Sequence, residues 1–340
     1  MMQEKKMVDD VSGWLRIYDD GSVDRTWPGP PEAKFMIDPV APHEQFIQGV
    51  ATRDVTTAMI TTNEGSIHRA RLYLPEKTTK DNKKLPIVIH FHGGGFCITE
   101  ANSYMYYHVY TKFVHCTRSI CVSPFLRQAP EHRLPAAIDD GLATLQWLQL
   151  VARGDACDPW LEEHGDFNKV FLIGDSTGGN LVHEVAARVG SVDLSPVRLV
   201  GAIPIHPGFV RSIRSRSEIE LPQSPFQTLD MLDKLLNLAL PIGSNKDHPF
   251  TCPMGAAAPP LDGLKLPSFL LCIAEKDVMR DTEMEYYEAM KKANKEIDLF
   301  VSEGMTHTFY LNKIAMDMDP NVSAQMDALI VRVKEFIEKH

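Results

Sequence analysis

The chain has 340 residues, 44% of them hydrophobic, a net charge of −10 and six cysteines. That is ample apolar material for one large core or two ordinary ones, and the acidic balance argues against nucleic acid or an anionic membrane as a partner. No run approaches the ~18 consecutive apolar residues of a membrane span, and the scattered cysteines, with no C-x-x-C among them, read as reduced thiols without zinc spacing.

In chain order, Met1 to Met7 carries charge but no apolar stretch of the kind that directs secretion, so a cytoplasmic protein is expected, with the nucleus as a second location. Residues 1 to about 50 read as an arm ahead of the core. Arg16 to Arg25 has the pattern of a hairpin around Asp20-Gly21, and Pro28 to Pro42 is proline-rich and irregular. Trp14, Trp27, Phe35 and Phe46 make this arm too apolar for a solvated tail.

The core is expected to start near Val55. Arg69–Pro75 reads as a strand, and a lysine-rich turn separates it from a buried strand at Pro86–Phe91. That strand runs into His92-Gly93-Gly94-Gly95-Phe96. Three glycines after a strand let backbone N–H groups face a cavity without Cβ interference, as an oxyanion site requires. A phosphate-binding loop is the competing reading, but neither G-x-G-x-x-G nor a Walker Lys-Ser/Thr accompanies the run. Cys97, beside this loop, is a candidate for the pocket wall, as is Phe96. His90 and His92 alternate at the strand end, which is no metal signature.

Ile120–Ser123 is a further strand and Ala136–Val151 a helix. Lys169–Ile173 then leads into Gly174-Asp175-Ser176-Thr177-Gly178, with a helix-compatible stretch from Gly179 to Arg188 behind it. G-x-S-x-G between a strand and a helix is a nucleophile elbow, which holds a serine hydroxyl exposed near free N–H groups. A serine between glycines is also an ordinary turn, and the strand–elbow–helix order is what favours the catalytic reading.

Leu199–Ile205 continues the strand–helix alternation. Residues 209 to 258 break it, and within them Leu229–Leu240 is a helical pattern whose leucines serve either cap packing or a ligand wall. Ser268–Ala274 is a buried strand that delivers Asp277 to its carboxyl end, where open α/β sheets place their chemistry. Asp277 also suits a helix N-cap, and Glu275 and Asp281 compete with it for the role of acid. Ile297–Val301 is the last strand. It opens into the loop bearing His307, whose bland alternative is a loop histidine with no partner. Val322 to His340 reads as an amphipathic terminal helix. No internal repeat is present. Alternating strands and helices imply a mostly parallel sheet covered on both faces.

A serine needs a base, and the base needs an orienting carboxylate. Ser176, Asp277 and His307 occur in the order Ser, acid, His. With His92-Gly93-Gly94-Gly95, Ala129 to Ala137, Gly174 to Asn180, Gly304 to His307 and the opening Gly13 to Val23, these residues resemble the plant carboxylesterases of the hormone-sensitive-lipase-like branch of the α/β-hydrolase superfamily, a branch that includes the gibberellin receptors and the isoflavanone dehydratases. The likeness covers nearly the whole chain. It implies an α/β-hydrolase fold in one domain over 1–340, with a helical cap made by the 1–50 arm and the 209–258 insertion. It also implies a Ser176, Asp277, His307 triad, with the N–H groups of Gly94, Gly95 and Thr177 as oxyanion donors.

The sequence departs from the family pattern in three places. Leu126-Arg127-Gln128 stands where Tyr-Arg-Leu is usual, Thr306 precedes His307 where glycine is common, and Thr177 follows the serine where alanine or serine is common. These bear on pocket shape more than on machinery. The expected pocket residues are Phe96, Cys97, Phe209, Leu232 and Phe309.

The expected activity is cofactor-free and metal-free hydrolysis of small, rather apolar carboxylic esters of plant specialised metabolism, through an acyl-enzyme. A lyase, cyclase or dehydratase acting on an alkaloid or flavonoid scaffold is the main alternative. A hormone receptor without turnover is the lesser one, because the gibberellin receptors typically lack the histidine that is present here as His307. The partner expected is the small-molecule substrate alone.

Overall fold

The computed structural model describes residues 5–57, 68–77, 83–224 and 227–340. The first four residues and 78–82 of the lysine-rich turn lie outside them. The strands are β1 (Met7–Val11), β2 (Leu15–Tyr18), β3 (Val23–Asp24), β4 (Val50–Thr56), β5 (Arg69–Pro75), β6 (Leu85–Phe91), β7 (Ile120–Pro124), β8 (Gly165–Asp175), β9 (Leu199–Ile205), β10 (Ser268–Ala274) and β11 (Ile297–Ser302). The helices are α1 (Tyr104–Thr117), α2 (Ala136–Arg153), α3 (Pro159–His164), α4 (Thr177–Val189), α5 (Arg216–Glu220), α6 (Leu229–Ala239), α7 (Arg280–Lys292), α8 (Lys313–Met318) and α9 (Pro320–Lys339).

Eight strands form one sheet in the order β11-β10-β9-β8-β6-β7-β5-β4, in which β5 runs against both of its neighbours. The strands from β6 to β11 pair in parallel wherever they adjoin. Their side chains alternate between two apolar cores. Ile87, Ile89, Phe91 and Leu172 face the layer of α2, α4 and α7. Val88, Phe171, Ile173 and Leu270 face that of α1 and α9. Both faces are therefore dry, which is why these strands read as unbroken hydrophobic runs. The edge strand β4 begins at Val50, five residues before the start expected from sequence, because its exposed half is polar and hides the pattern.

The strand order reverses between β6 and β8. From β8 the chain builds outward through β9, β10 and β11; from β6 it builds outward the other way through β7. Crevices at the carboxyl ends of strands open at such a switch point. The loop after β6 and the turn after β8 emerge there side by side.

The arm folds as a separate antiparallel sheet, β1-β2-β3, that shares no ladder with the main one. Its β2–β3 turn is the Asp20-Gly21 hairpin, with Ile17 opposite Val23. The insertion contributes α5 and α6, and Lys234 of α6 donates to the Asp10 carbonyl of the arm at 2.8 Å. Among the described residues no helix is long and apolar enough to cross a membrane.

Candidate active site

Ser176 stands between the last residue of β8 and the first of α4, with φ 55° and ψ −123°. This backbone geometry is unfavourable for any residue with a Cβ. The surroundings hold it. The Ser176 N–H donates to Ile205 O at 2.9 Å, and its carbonyl accepts from Gly179 and Gly208. Glycine is required on either side: a Cβ on Gly174 would lie 2.3 Å from the Gly178 carbonyl oxygen, and one on Gly178 would lie 2.0 Å from that of Phe91.

The base and its acid come from two neighbouring strands. Asp277 follows β10 and His307 follows β11, and their loops are tied by the Lys276 N–H to the Met305 carbonyl. Ser176 Oγ lies 2.9 Å from His307 Nε2 and donates to it. His307 Nδ1 donates to Asp277 Oδ2 at 2.5 Å. The carboxylate can only accept, so it fixes the tautomer that leaves Nε2 free to receive a proton.

Asp277 is fully buried. Burial raises its pKa, but His307, His206 and the Met279 N–H together outweigh that and hold it below the ordinary carboxylate value. The rival acids are engaged elsewhere: Glu275 accepts from the Gly304 N–H, and Asp281 from the Ser217 N–H. The N-cap alternative is partly realised too, because Asp277 Oδ1 accepts from Met279 N–H at 2.9 Å just before α7.

The glycine loop supplies the third component. Gly94 has φ +95° and Gly95 φ +63°, and a Cβ on Gly94 would come within 1.9 Å of the Ile98 carbonyl. Gly93 N–H donates to Tyr106 Oη at 3.0 Å and Cys97 N–H to Gly94 O at 3.0 Å. Among the described residues none accepts from the N–H of Gly94, Gly95 or Thr177. The first N–H groups of a helix such as α4 have no intrahelical acceptor, so Thr177 is orphaned by position.

Two groups escaped the sequence reading. His206, at the end of β9, is fully buried with φ 45° and accepts from Thr308 N–H at Nδ1, 2.9 Å away. Burial pushes its pKa down to about 3, despite the nearby Asp277, so it is neutral. It buttresses the backbone next to His307, where Thr308 is itself left-handed at φ 46°. Together with Asp277 and His307 it offers ligand atoms within 4.8 Å of one another. Both ring nitrogens of His307 are already engaged by Ser176 and Asp277.

The second group lies under the nucleophile. Asp175 accepts from His90 Nε2 at 2.7 Å, from Tyr110 Oη at 2.9 Å and from the Tyr310 hydroxyl. These partners come from three separate segments, so no local pattern announces them.

A cavity of about 290 Å³ opens over Ser176. Leu232 and Phe309 line it, as expected; Phe96, Cys97 and Phe209 do not. Phe209 turns beneath the loop and packs on Tyr286, ring centres 4.5 Å apart. The Cys97 thiol points at the Leu235 carbonyl, 3.6 Å away, and burial pushes its pKa up to about 12. Phe96 is held by its N–H on Thr177 Oγ1 and is almost fully buried. In place of these three the wall carries Trp14, Trp27 and Met36 from the arm and Met231 and Leu235 from α6. Met231, Leu232 and Leu235 share one face of α6 at helical spacing, with Thr228 as its N-cap just before them, the signal that could have named them. Thr177 and Thr306, two of the departures from the family pattern, also line the cavity. Of the third, Gln128 donates to the Thr99 carbonyl.

Known proteins are similar to this chain in sequence and in fold. A family model described as alpha/beta hydrolase fold matches residues 88–311. Tuliposide A-converting enzyme 1 of Tulipa gesneriana, a chloroplastic protein, is 33% identical over 96% of this chain and 79% of its own length. Probable carboxylesterase 6 of Arabidopsis thaliana is 32% identical over 95% of this chain and 91% of its own. Among solved structures, a thermostable esterase from Pseudomonas putida superposes with a TM-score of 0.67 at 22% identity, over 82% of this chain and 80% of that one, a likeness of fold. The chain thus belongs to the alpha/beta hydrolase family, among plant carboxylesterases of the hormone-sensitive-lipase-like kind.

Proposed function

We propose that the protein is a serine carboxylesterase that cleaves small, uncharged, largely apolar esters. The observation that carries this reading is His307 joined to Ser176 on one side and Asp277 on the other, beside three N–H groups with no acceptor among the described residues. As Ser176 Oγ attacks the ester carbonyl, its proton passes to His307 Nε2. Asp277 steadies the imidazolium. The N–H groups of Gly94, Gly95 and Thr177 stabilise the oxyanion. The tetrahedral intermediate expels the alcohol, which takes the proton from Nε2. Water then gives a proton to Nε2, attacks the acyl carbon and releases the acid, and the proton returns to Ser176 Oγ.

The substrate class follows from the cavity lining, which among the described residues contains no Asp, Glu, Lys or Arg. An ionic substrate would lose its hydration there without compensation. Esters of specialised metabolites fit that chemistry. The 1–50 arm and the 209–258 insertion are best read as the cap of one unit spanning 1–340, since both line the cavity. The cytoplasm is the proposed location. Free cysteines support a reducing compartment, and imaging of a fluorescent fusion tests it.

Hydrolysis of p-nitrophenyl acetate by the wild type and by Ser176→Ala tests the mechanism. The expected loss is about 10⁴-fold or more in kcat; equal rates would sink it. A product formed without uptake of water would instead favour elimination or cyclisation.

A further inference from the structure

The arm sheet shares no backbone ladder with the main sheet, yet two of its indoles form part of the cavity wall. Trp14 and Trp27 meet edge-to-face, ring centres 4.9 Å apart, and both line the space above Ser176. The hairpin that carries them is seated on the core by the apolar packing of Val11 and Leu15, by Lys234 on the Asp10 carbonyl and, nearest Trp27, by the guanidinium of Arg25. Arg25, two residues before Trp27, donates from Nε to Cys97 O at 2.6 Å and from an Nη to Ala129 O at 3.0 Å. The same guanidinium grips both oxygens of Glu131, at 2.9 and 2.6 Å.

These acceptors are not arbitrary surface groups. Cys97 is two residues past Gly95 in the oxyanion loop, and Ala129 N–H donates to Phe96 O of that loop at 2.9 Å. The planar fork of arginine thus joins the arm to the turn that presents Gly94 and Gly95. A lysine could not make four such bonds at once.

We propose that Arg25 is a specificity-determining positioning residue: it holds the Trp14–Trp27 pair over the pocket, where the pair forms a subsite for an uncharged aromatic ring of the ester. The neighbouring lining suits a ring. Met36, Met231 and Met279 offer polarizable sulfur, and the two perpendicular indoles present both an edge and a face to an incoming aromatic group. This rests on the esterase reading for its kinetics but not for its binding.

The test compares ethyl acetate with benzyl acetate and ethyl phenylacetate, which carry a ring on the alcohol and on the acyl side, by pH-stat. Arg25→Ala and Trp27→Ala should each raise the ratio of KM for at least one ring ester to KM for ethyl acetate on the order of tenfold, a change larger than any in kcat, as loss of aromatic packing requires. The double variant should be no worse than the single ones, because both act through the same wall. Glu131→Ala, which loosens the strap from the core side, should give the same pattern if Arg25→Ala fails to fold. Equal KM changes for all three esters, or a uniform fall in kcat, would overturn the proposal.

A second measurement keeps it separate from the esterase reading. In a Ser176→Ala background, at least one of benzyl acetate and ethyl phenylacetate should quench tryptophan fluorescence with a Kd about tenfold weaker after Arg25→Ala. Trp147 and Trp160, the other two tryptophans, do not line the cavity. A Kd unchanged for both esters defeats the proposal, whereas tight, Arg25-dependent binding with no turnover in the wild type defeats only the esterase reading.

Discussion

The carboxyl edge of the main sheet and the roof above it are held to different degrees. At the edge each functional group is fixed by backbone. Ser176 is clamped to Ile205, Gly179 and Gly208, and the loops bearing Asp277 and His307 are laced together through Lys276 and Met305. The roof is laced more sparsely. Backbone bonds reach it at Ala239 of α6, whose carbonyl accepts from Leu134 N–H, and at Asp38 and Val40 of the arm, which pair with Tyr104 and Asn102. The hairpin that carries Trp14 and Trp27 is held by Arg25, Lys234 and side-chain packing. Backbone ladders tolerate little displacement, whereas side-chain ties can be rebuilt one at a time. Chemistry therefore resides in the rigid part and substrate choice in the adjustable part.

The largest expected effect comes from the edge. Asp277→Asn keeps the shape but offers His307 a donor where it needs an acceptor, so kcat for p-nitrophenyl acetate should fall about 10⁴-fold. A fall below tenfold would place the acid elsewhere, at Glu275 or Asp281. Gly94→Ala is next. A Cβ there meets the Ile98 carbonyl at 1.9 Å on a residue with φ +95°, so the loop must move. We expect kcat to drop by about 10² to 10³ with circular dichroism unchanged. An unaffected kcat would mean that the loop donates nothing to the oxyanion.

A smaller effect concerns pH. Burial pushes His92 and His183 down to about 4, and His206 to about 3, against about 6.5 in an unfolded chain. Below pH 6.5 the unfolded state binds more protons at these sites. Their contribution is thus complete above about 6.5 and is lost as pH falls towards 4. Glu184 acts in the opposite sense. Burial raises it to about 7, so its contribution is present below about 4.5 and lost above 7. Burial raises Glu283, Asp140 and Asp158 as well, and they act with Glu184, so one histidine is read by difference. Tm at pH 7 minus Tm at pH 4.5 should be smaller in His183→Gln than in the wild type; an identical difference would exclude His183 as a contributor. The smallest effect lies on the roof's outer surface. Arg216 and Glu220 pair in the open on α5, and Arg216→Ala should leave Tm and activity unchanged by thermal melt and pH-stat. A measurable loss would show that this roof is less loosely held than the edge comparison implies.

The same contrast explains what could be read from the chain alone. Ser176, Asp277 and His307 each follow an apolar run that must be a strand, so their common edge was visible before any coordinates. The glycines around Ser176 and after His92 were visible because only they fit such close approaches. The pocket wall was not. Cys97 and Phe209 adjoin site residues in sequence, yet their side chains turn towards Leu235 and Tyr286, because what neighbours a site along the chain need not face it. Trp14 and Trp27 mark the arm as apolar, but nothing local says which cavity they reach. His206 and the donors to Asp175 were silent for the same reason, since each is defined by partners from distant segments.

Three non-glycine residues with positive φ, Thr99, Ser176 and Thr308, line one cavity, and two more, Phe96 and His206, lie in the segments beside it. Such conformations are held at a cost of about 1–3 kcal/mol each. The most heat-resistant version of this sequence is therefore not its working version. A mutant library selected only for survival on heating would drift towards glycine at position 176 and lose turnover in the process, whereas a library selected for turnover would keep the contorted serine and tolerate a lower melting point.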